Sequence, residues 1–206
     1  MKQFIVCLAV ITSLSAVGFA AVMPAANKAV LQNLSDSYKR AAIDQANYAA
    51  FAVKADAEGY KKAAQLFRAS ADSKKVQLET IGKAITELGG KPDAKTGKVT
   101  VKTTKDNLAW ALKETNDEGN VVYPKYMQDA MPSKIKSAMI AFYRGAHVQA
   151  NLRLLFQSAV INMDSWKTAA ANGFYVCQVC GNVTADINFE DCPICGVPAS
   201  NCTQIK

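Results

Sequence analysis

Two Cys-x-x-Cys-Gly units near the C-terminus constrain the fold of this chain more than any other feature. They lie in the stretch YVCQVCGNVTADINFEDCPICG, with eleven residues between the second cysteine of the first unit, Cys180, and the first cysteine of the next, Cys192. Cysteines at this spacing bring two thiolates together, and the glycine after the second cysteine lets the turn adopt a positive φ. The spacing predicts one metal ion bound by the thiolates of Cys177, Cys180, Cys192 and Cys195.

The competing interpretation is a set of disulfide bonds. Of the six cysteines, Cys7 stands near the N-terminus and Cys202 follows the two units, so pairing within the C-terminal region leaves one thiol over. Cys202 lies outside the spacing and is expected to be a spare thiol. The spacing does not distinguish iron from zinc, because a tetrahedral sulfur site suits both metals. Zinc would make the segment a structural ribbon, whereas iron would make it a one-electron carrier.

The N-terminal sequence is typical of a secretory signal. Lys2 is followed by an uncharged apolar run over residues 4–17 and by the small residues Gly18 and Ala20. The run is short for a membrane span, although a retained anchor is the alternative. We expect residues 1–21 to be a signal peptide, and the mature protein to be exported, in the periplasm, without stable membrane insertion.

Residues 22–170 are rich in Ala, Leu, Lys and Gln, and apolar residues recur there at helical spacing. This pattern predicts four long amphipathic helices that form a bundle. Gly59 separates the first helix from the second, Gly89 ends the second, and Pro132 separates the third from the fourth.

The link before the third helix contains a β-like run, Lys98–Thr103. Thr104 or Asp106 is expected to cap the third helix. Gly119, near the middle of that helix, predicts a weak point or a kink.

Residues 171–206 form a second unit, in which Cys, Gly and Pro become more frequent. Such a short segment cannot bury a sufficient apolar core and needs a bound metal or a disulfide. The net charge of +7 comes from scattered lysines and arginines that alternate with acidic residues. This distribution indicates a solvated helical surface and argues against nucleic-acid binding.

The order of parts, a four-helix bundle followed by Tyr-Val-Cys-x-x-Cys-Gly and Cys-Pro-x-Cys-Gly, resembles the rubrerythrin family. Further motifs carry the resemblance along most of the chain: Asn47-Tyr48, Glu58-Gly59-Tyr60, Leu66-Phe67-Arg68-Ala69-Ser70, Leu88-Gly89-Gly90-Lys91-Pro92, Thr104-Lys105-Asp106-Asn107-Leu108 and Tyr123-Pro124. The resemblance implies a mainly α fold, a ferritin-like four-helix bundle followed by a small rubredoxin-like metal-binding β domain. It also implies peroxide reduction at a di-iron site inside the bundle.

The ligand pattern implied by that family is a Glu on the first helix, Glu-x-x-His on the second, Glu-x-x-Glu on the third and Glu-x-x-His on the fourth. This chain departs from it at nearly every position. The corresponding residues are Ala41, then Lys74 and Gln77, then Thr115 and Glu118, and finally either Gln149 and Leu152 or His147 and Ala150. We therefore expect no di-iron centre.

Lys74 offers a positive charge where the family pattern would place iron. We predict that it pairs with Glu118 inside the bundle, since a buried charge needs a partner. The alternative is a single metal held by Asp44, Glu118 and His147, the only histidine. Glu114 and Asp117 lie one residue out of register with the ligand positions and are expected to face solvent.

These observations favour an exported iron-binding electron carrier with one Fe(Cys)4 centre and no catalytic residues in the bundle. Its partners would be a redox protein of unknown identity and a second copy in a homodimer, the pairing that the family resemblance implies. One alternative is a peroxide reductase acting through a non-standard metal site. The other is a protein with a structural or partner-binding role and zinc in its C-terminal segment.

Overall fold

The structure is a computed structural model and describes residues 23–206; the proposed signal peptide lies outside this range. The helical part contains α1 Ala25–Ala57, α2 Lys61–Glu87, α3 Thr104–Asp117, a π-helical turn Glu118–Val122, α4 Tyr123–Ala130, a 3₁₀ turn Met131–Ser133, α5 Lys136–Ile161 and α6 Met163–Thr168. The C-terminal part contains β1 Phe174–Cys177, β2 Val183–Thr184, a 3₁₀ turn Ala199–Asn201 and β3 Cys202–Ile205. The mainly α fold with a small C-terminal β unit is confirmed.

The bundle consists of α1, α2, the α3–α4 segment and α5, and it has two apolar clusters at different heights. Tyr48, Phe67 and Phe156 stack in one cluster, with ring centroids 5.6–6.2 Å apart. Leu34 and Phe142 belong to the other. On α1 and α2, buried polar residues including Asp44 and Lys74 lie between the stretches that supply the two clusters, and on α5 the buried Gln149 lies next to Val148, where the first cluster begins. The bundle therefore has a polar middle layer with an apolar layer on either side.

The predicted helix breaks agree with the structure. Gly59 and Gly89 follow α1 and α2 with φ of +81° and +74°, a region that glycine enters without a steric penalty. The irregularity expected at Gly119 is a π-helical turn, which passes close to α5: a Cβ built on Gly119 would lie 3.3 Å from Gln149 Cβ. A residue with a side chain would crowd α5 at this point.

Two local predictions were wrong. Lys98–Thr103 forms no strand in the described structure; the backbone N–H and carbonyl of Lys102 bond instead to the Asn107 side chain, at 3.1 and 3.2 Å. The cap of α3 is Thr103, whose Oγ1 accepts from the Asp106 N–H at 3.2 Å, so Thr104 begins the helix. Both threonines satisfy the capping preference, and the sequence did not distinguish them.

Glu58, at the end of α1, forms a hydrogen bond with the first residue of α3. Its Oε2 accepts from the Thr104 N–H at 2.8 Å, and hydrogen bonding to Thr104 lowers the pKa of Glu58 to about 2. A carboxylate with a depressed pKa stabilises the fold above its unfolded-state pKa, and this stabilisation is lost as pH falls toward the folded-state value.

Glu58→Gln is therefore expected to lower the free energy of unfolding at pH 7 by about 0.5 kcal/mol, a small value because solvent screens the group. The difference from wild type should shrink as pH falls from 4.5 toward 2. Urea unfolding between pH 7 and pH 3 measures it, with Glu87→Gln at the end of α2 as the control. A difference that stays constant with pH would contradict the assignment.

The C-terminal unit is a three-stranded antiparallel sheet of order β2-β1-β3. β1 pairs with β2 through Tyr175 and Thr184, and with β3 through Cys177 and Cys202. Phe174, Val176 and Val183 of this sheet pack into the same apolar cluster as Phe67 and Phe156. No helix within residues 23–206 is both long enough and apolar enough to cross a membrane.

Candidate metal centre and bundle interior

The four predicted cysteines converge at one point. Their sulfur atoms all lie within 4.8 Å of one another. Cys177 Sγ is 3.7 Å from Cys195 Sγ, and Cys180 Sγ is 3.7 Å from Cys192 Sγ. These separations leave room for one ion at the centre of four thiolates, the geometry that a tetrahedral metal site needs.

The two cysteine turns have the same backbone design. Gly181 and Gly196 adopt φ of +82° and +71°, and their N–H groups donate to the carbonyls of Cys177 and Cys192, each at 2.8 Å. The turns also direct backbone N–H groups at sulfur, from Val179 to Cys177 and from Val197 to Cys195, for example. Such bonds favour the thiolate form, which is the metal-binding form.

Hydrogen bonding within the group shifts the pKa values of Cys177 and Cys180 in opposite directions. The bond with Cys180 lowers the pKa of Cys177 to about 4, and the same bond raises the pKa of Cys180. Burial raises the pKa of Cys195. Metal is bound by thiolates, so metal binding must release the protons that the thiols hold.

Cys202 lies beside the group without belonging to it. It faces Cys177 across the β1–β3 ladder, but its sulfur is not one of the four within 4.8 Å of one another. Burial raises the pKa of the Cys202 thiol to about 11. The structure thus places this cysteine as a neutral neighbour, in agreement with the spare thiol expected from the sequence.

The cysteine unit rests directly on the bundle. Ser73 Oγ on α2 donates to the Gly181 carbonyl at 2.5 Å, and Asn151 Nδ2 on α5 donates to Asn182 Oδ1 at 2.7 Å. Gln178 Nε2 donates to Asp72 Oδ2 at 3.0 Å. These bonds fix the first cysteine turn against α2 and α5, so sequence-distant polar residues position the site.

Gly181→Ala is expected to be more destabilising than Gly196→Ala. Both substitutions place a side chain at positive φ, which costs about 1–2 kcal/mol. A Cβ at Gly181 would also lie 2.8 Å from the Ser73 carbonyl, whereas a Cβ at Gly196 meets no atom within 4 Å. The G196A variant therefore measures the cost of the positive φ alone, without a steric contact. Thermal unfolding of the two metal-loaded variants measures the difference, and equal melting temperatures would show that the contact with α2 contributes nothing.

Most of the bundle positions identified from the sequence face the interior. Seven of them are buried: Ala41, Lys74, Gln77, Thr115, Glu118, Gln149 and Leu152. His147 and Ala150 are exposed. The inward face of α5 therefore follows the alignment that selects Gln149 and Leu152, one of the two that the sequence left open.

Lys74 lies in the polar middle layer with no exposed surface and bridges two carboxylates. Its Nζ is 2.7 Å from Glu118 Oε2 and 2.7 Å from Asp44 Oδ2. The predicted Lys74–Glu118 pair is confirmed. Asp44 was missed as a partner of Lys74, although its place one turn after Ala41 puts it on the same face of α1. We call these three residues the Lys74 triad.

Burial opposes every charge in the Lys74 triad. It disfavours the charged form of Lys74, yet attraction to Asp44 and Glu118 raises the pKa of Lys74 well above its ordinary value. Burial also raises the pKa of Asp44 and of Glu118, and for Glu118 repulsion from Asp44 adds to this shift. One ammonium serves two carboxylates, so each carboxylate depends on Lys74 to stay ionised.

The single-metal alternative does not match the structure. His147 is exposed and packs against Tyr143 at 4.3 Å between ring centroids, away from the Lys74 triad. Within residues 23–206, the four cysteines are the one group of three or more Cys, His, Asp or Glu side chains at ligand spacing. Glu114 and Asp117 are partly exposed, and Asp117 pairs with Lys113 at 2.6 Å.

No protein-family model matches the chain. Rubrerythrin-2 of Clostridium acetobutylicum is 28% identical over 165 residues, which cover 80% of this chain and 90% of that protein. Nigerythrin of Nitratidesulfovibrio vulgaris is 24% identical over 174 residues, covering 84% and 85%. The chain is a homologue of rubrerythrin and nigerythrin.

A solved structure shows that this rubrerythrin-like chain also shares the fold. Nigerythrin in its fully reduced, all-ferrous state superposes with a TM-score of 0.78 at 22% identity, covering 99% of this chain and 100% of that one. The likeness extends from the helical bundle to the C-terminal four-cysteine unit. The resemblance inferred from the motifs is confirmed.

Proposed function

We propose that this rubrerythrin-like protein is an exported one-electron carrier. Its redox centre is one iron ion held by Cys177, Cys180, Cys192 and Cys195, and its bundle contains no di-iron centre. The observation that carries the proposal is the contrast between its two candidate sites. Four sulfurs converge at metal-binding distance, whereas a lysine ammonium occupies the middle of the bundle.

The cysteine group fits iron. Four thiolate donors satisfy an Fe(Cys)4 centre, and the homologue nigerythrin has a fully reduced, all-ferrous state. When bound, such an iron gains or loses one electron at constant coordination. The backbone N–H groups that point at the sulfurs disperse their negative charge, and the bonds from Ser73 and Asn151 hold the first cysteine turn in place.

The bundle interior does not fit a di-iron centre. Such a centre needs carboxylates and imidazoles that face inward from the helices. Here the corresponding positions hold Ala41, Lys74, Gln77 and Thr115, with Gln149 and Leu152 on α5. Glu118 remains, and it is paired with Lys74. A buried ammonium would repel a metal cation at this point, so we assign no chemistry to irons in the bundle.

The same observations argue against the peroxide reductase, whereas the identity of the metal separates the proposal from the zinc alternative. A peroxide reductase that works through a metal in the bundle would need a second set of metal ligands there. His147, the histidine proposed as one of those ligands, faces solvent. Zinc fits the four cysteines as well as iron does by geometry alone. Iron is favoured by the homologues, whereas zinc would leave a structural or partner-binding protein.

The proposal extends to properties inferred from the sequence and the family resemblance alone. Residues 1–21 would direct export to the periplasm, residues 22–170 would form the bundle, and residues 171–206 the metal-binding unit. The mature protein would form a homodimer and exchange electrons with a protein partner. Because disulfides form readily in an oxidising compartment, metal would have to bind before the thiols are exposed there.

Metal analysis together with a visible spectrum tests the proposal on mature protein isolated from its native compartment. About one iron per chain, with thiolate-to-iron charge-transfer bands, is the expected result. About three irons per chain would show that the bundle binds metal and would restore the peroxide reductase. Zinc without iron would remove the electron-carrier function.

A further inference from the structure

One ligand cysteine is more accessible than the other three, and it opens onto a surface groove. Cys177, Cys180 and Cys192 are 0–2% exposed, whereas Cys195 is partly exposed. A groove of about 380 Å³ lies beside Cys195, between the second cysteine turn and the bundle. Electron transfer weakens steeply with distance, so the accessible ligand marks the side on which a partner approaches the metal most closely.

The groove is lined by α4, by α5 and by the second cysteine turn, with Met127 contributed by α4. Ile194 contributes from the cysteine turn, and Met139 and Ile140 contribute from α5. Its charged lining residues in the described structure are Lys136 and Arg144, and no carboxylate lines it. Arg144 also donates to the Val179 carbonyl at 3.4 Å, which joins the groove wall to the first cysteine turn. The surface thus has an apolar floor and a positive edge.

We propose that this groove is the docking surface for a small acidic electron-transfer protein, which exchanges one electron with the metal through Cys195. The inference rests on the proposed function. Charge complementarity selects the partner: a positive edge without carboxylates attracts an acidic rim, and the apolar floor accepts the apolar centre that such a rim surrounds. The electron balance is simple, because ferrous iron becomes ferric as the partner is reduced, or the reverse.

Reduction of the iron-loaded, full-length mature protein by a reduced, acidic plant-type ferredoxin tests the groove. The measurement is the second-order rate constant in stopped flow at low salt and at high salt. Lys136→Glu reverses one charge at the edge, where Lys136 is exposed at the start of α5. Lys105→Glu changes the net charge equally, but it lies at the start of α3, outside the groove.

K136E is expected to lower the low-salt rate constant at least fivefold, and K105E less than twofold. The K136E deficit should shrink at high salt, because ions screen the edge. Lys136→Gln, which removes the charge without reversing it, should give an intermediate rate. Equal effects of K136E and K105E, or none, would overturn the assignment.

Two further measurements distinguish a docking groove from a dimer interface and from a protein without iron. Sedimentation of wild type and K136E identifies a dimer interface: if K136E dissociates a wild-type dimer, a second copy covers the groove and the proposal fails. Iron content and the visible spectrum are recorded first for each variant. Normal iron with unaffected rates overturns the groove alone, whereas protein that contains no iron overturns the proposed function.

Discussion

Lys74→Met is expected to destabilise the bundle by about 3–5 kcal/mol, the typical effect of removing one partner from a buried ion pair. The substitution leaves Asp44 and Glu118 buried without the ammonium that lies 2.7 Å from each. Methionine is similar in length to lysine, so the loss of stability reflects the missing charge more than a change in side-chain volume. Urea unfolding of the bundle at pH 7 measures it.

The neighbouring residue supplies the control. Lys75 is exposed on the same helix, and Lys75→Met should change stability by less than about 0.5 kcal/mol. Glu118→Gln keeps the Asp44–Lys74 contact and should cost about 1.5–3 kcal/mol, the range for a hydrogen bond to a charged group. The triple variant D44N/K74M/E118Q removes all three charges and should recover much of the K74M loss. Equal stability of K74M and K75M, or an E118Q variant as stable as wild type, would refute the triad.

Cys180→Ser is expected to reduce the metal content from about one ion per chain to nearly none. Cys180 is one of the four converging sulfurs and is 2% exposed, so a serine there removes one of the four thiolates from a buried site. Metal binding and folding of a small metal unit are coupled, so the order of β1–β3 should be lost as well. The far-UV circular dichroism of the helices should remain, since most of both apolar clusters is built from bundle residues.

Cys202→Ser is the matched control for that variant. Cys202 faces Cys177 across the sheet but lies outside the four-sulfur group, so C202S should retain full metal content and the wild-type visible spectrum. Elemental analysis of both proteins, purified side by side, gives the result. A C202S protein that loses its metal would mean that Cys202 is a ligand and that the assignment from spacing is wrong.

The cysteine spacing and the helical periodicity were sufficient to predict the architecture, because each is a local pattern with one dominant physical solution. The Lys74–Glu118 pair was also predictable, since a lysine and a glutamate on the inward faces of two bundle helices have few other partners. The role of Asp44 was less accessible, because its place in the triad depends on how α1 and α2 pack in three dimensions. Thr103 could not be distinguished from Thr104 as the cap, because both have the same chemistry.

The contacts that hold the cysteine unit on the bundle lay beyond sequence analysis. Ser73 and Gly181 are 108 residues apart, and no sequence motif links the two positions. The same holds for Asn151 and Asn182. Likewise, the groove beside Cys195 combines residues from α4, α5 and the second cysteine turn, and exists only once these elements are packed.

The π-helical turn at Glu118–Val122 affects how sequences of this type should be compared. A π turn holds one residue more than an α turn, so the hydrophobic phase of α3 does not continue into α4. A helical wheel drawn through residues 104–130 assigns inward and outward faces correctly on one side of Glu118 and misplaces them by about 100° on the other. Alignments should therefore fix the segments before and after the turn independently. A one-residue gap there would not by itself imply that the downstream inward residues have changed.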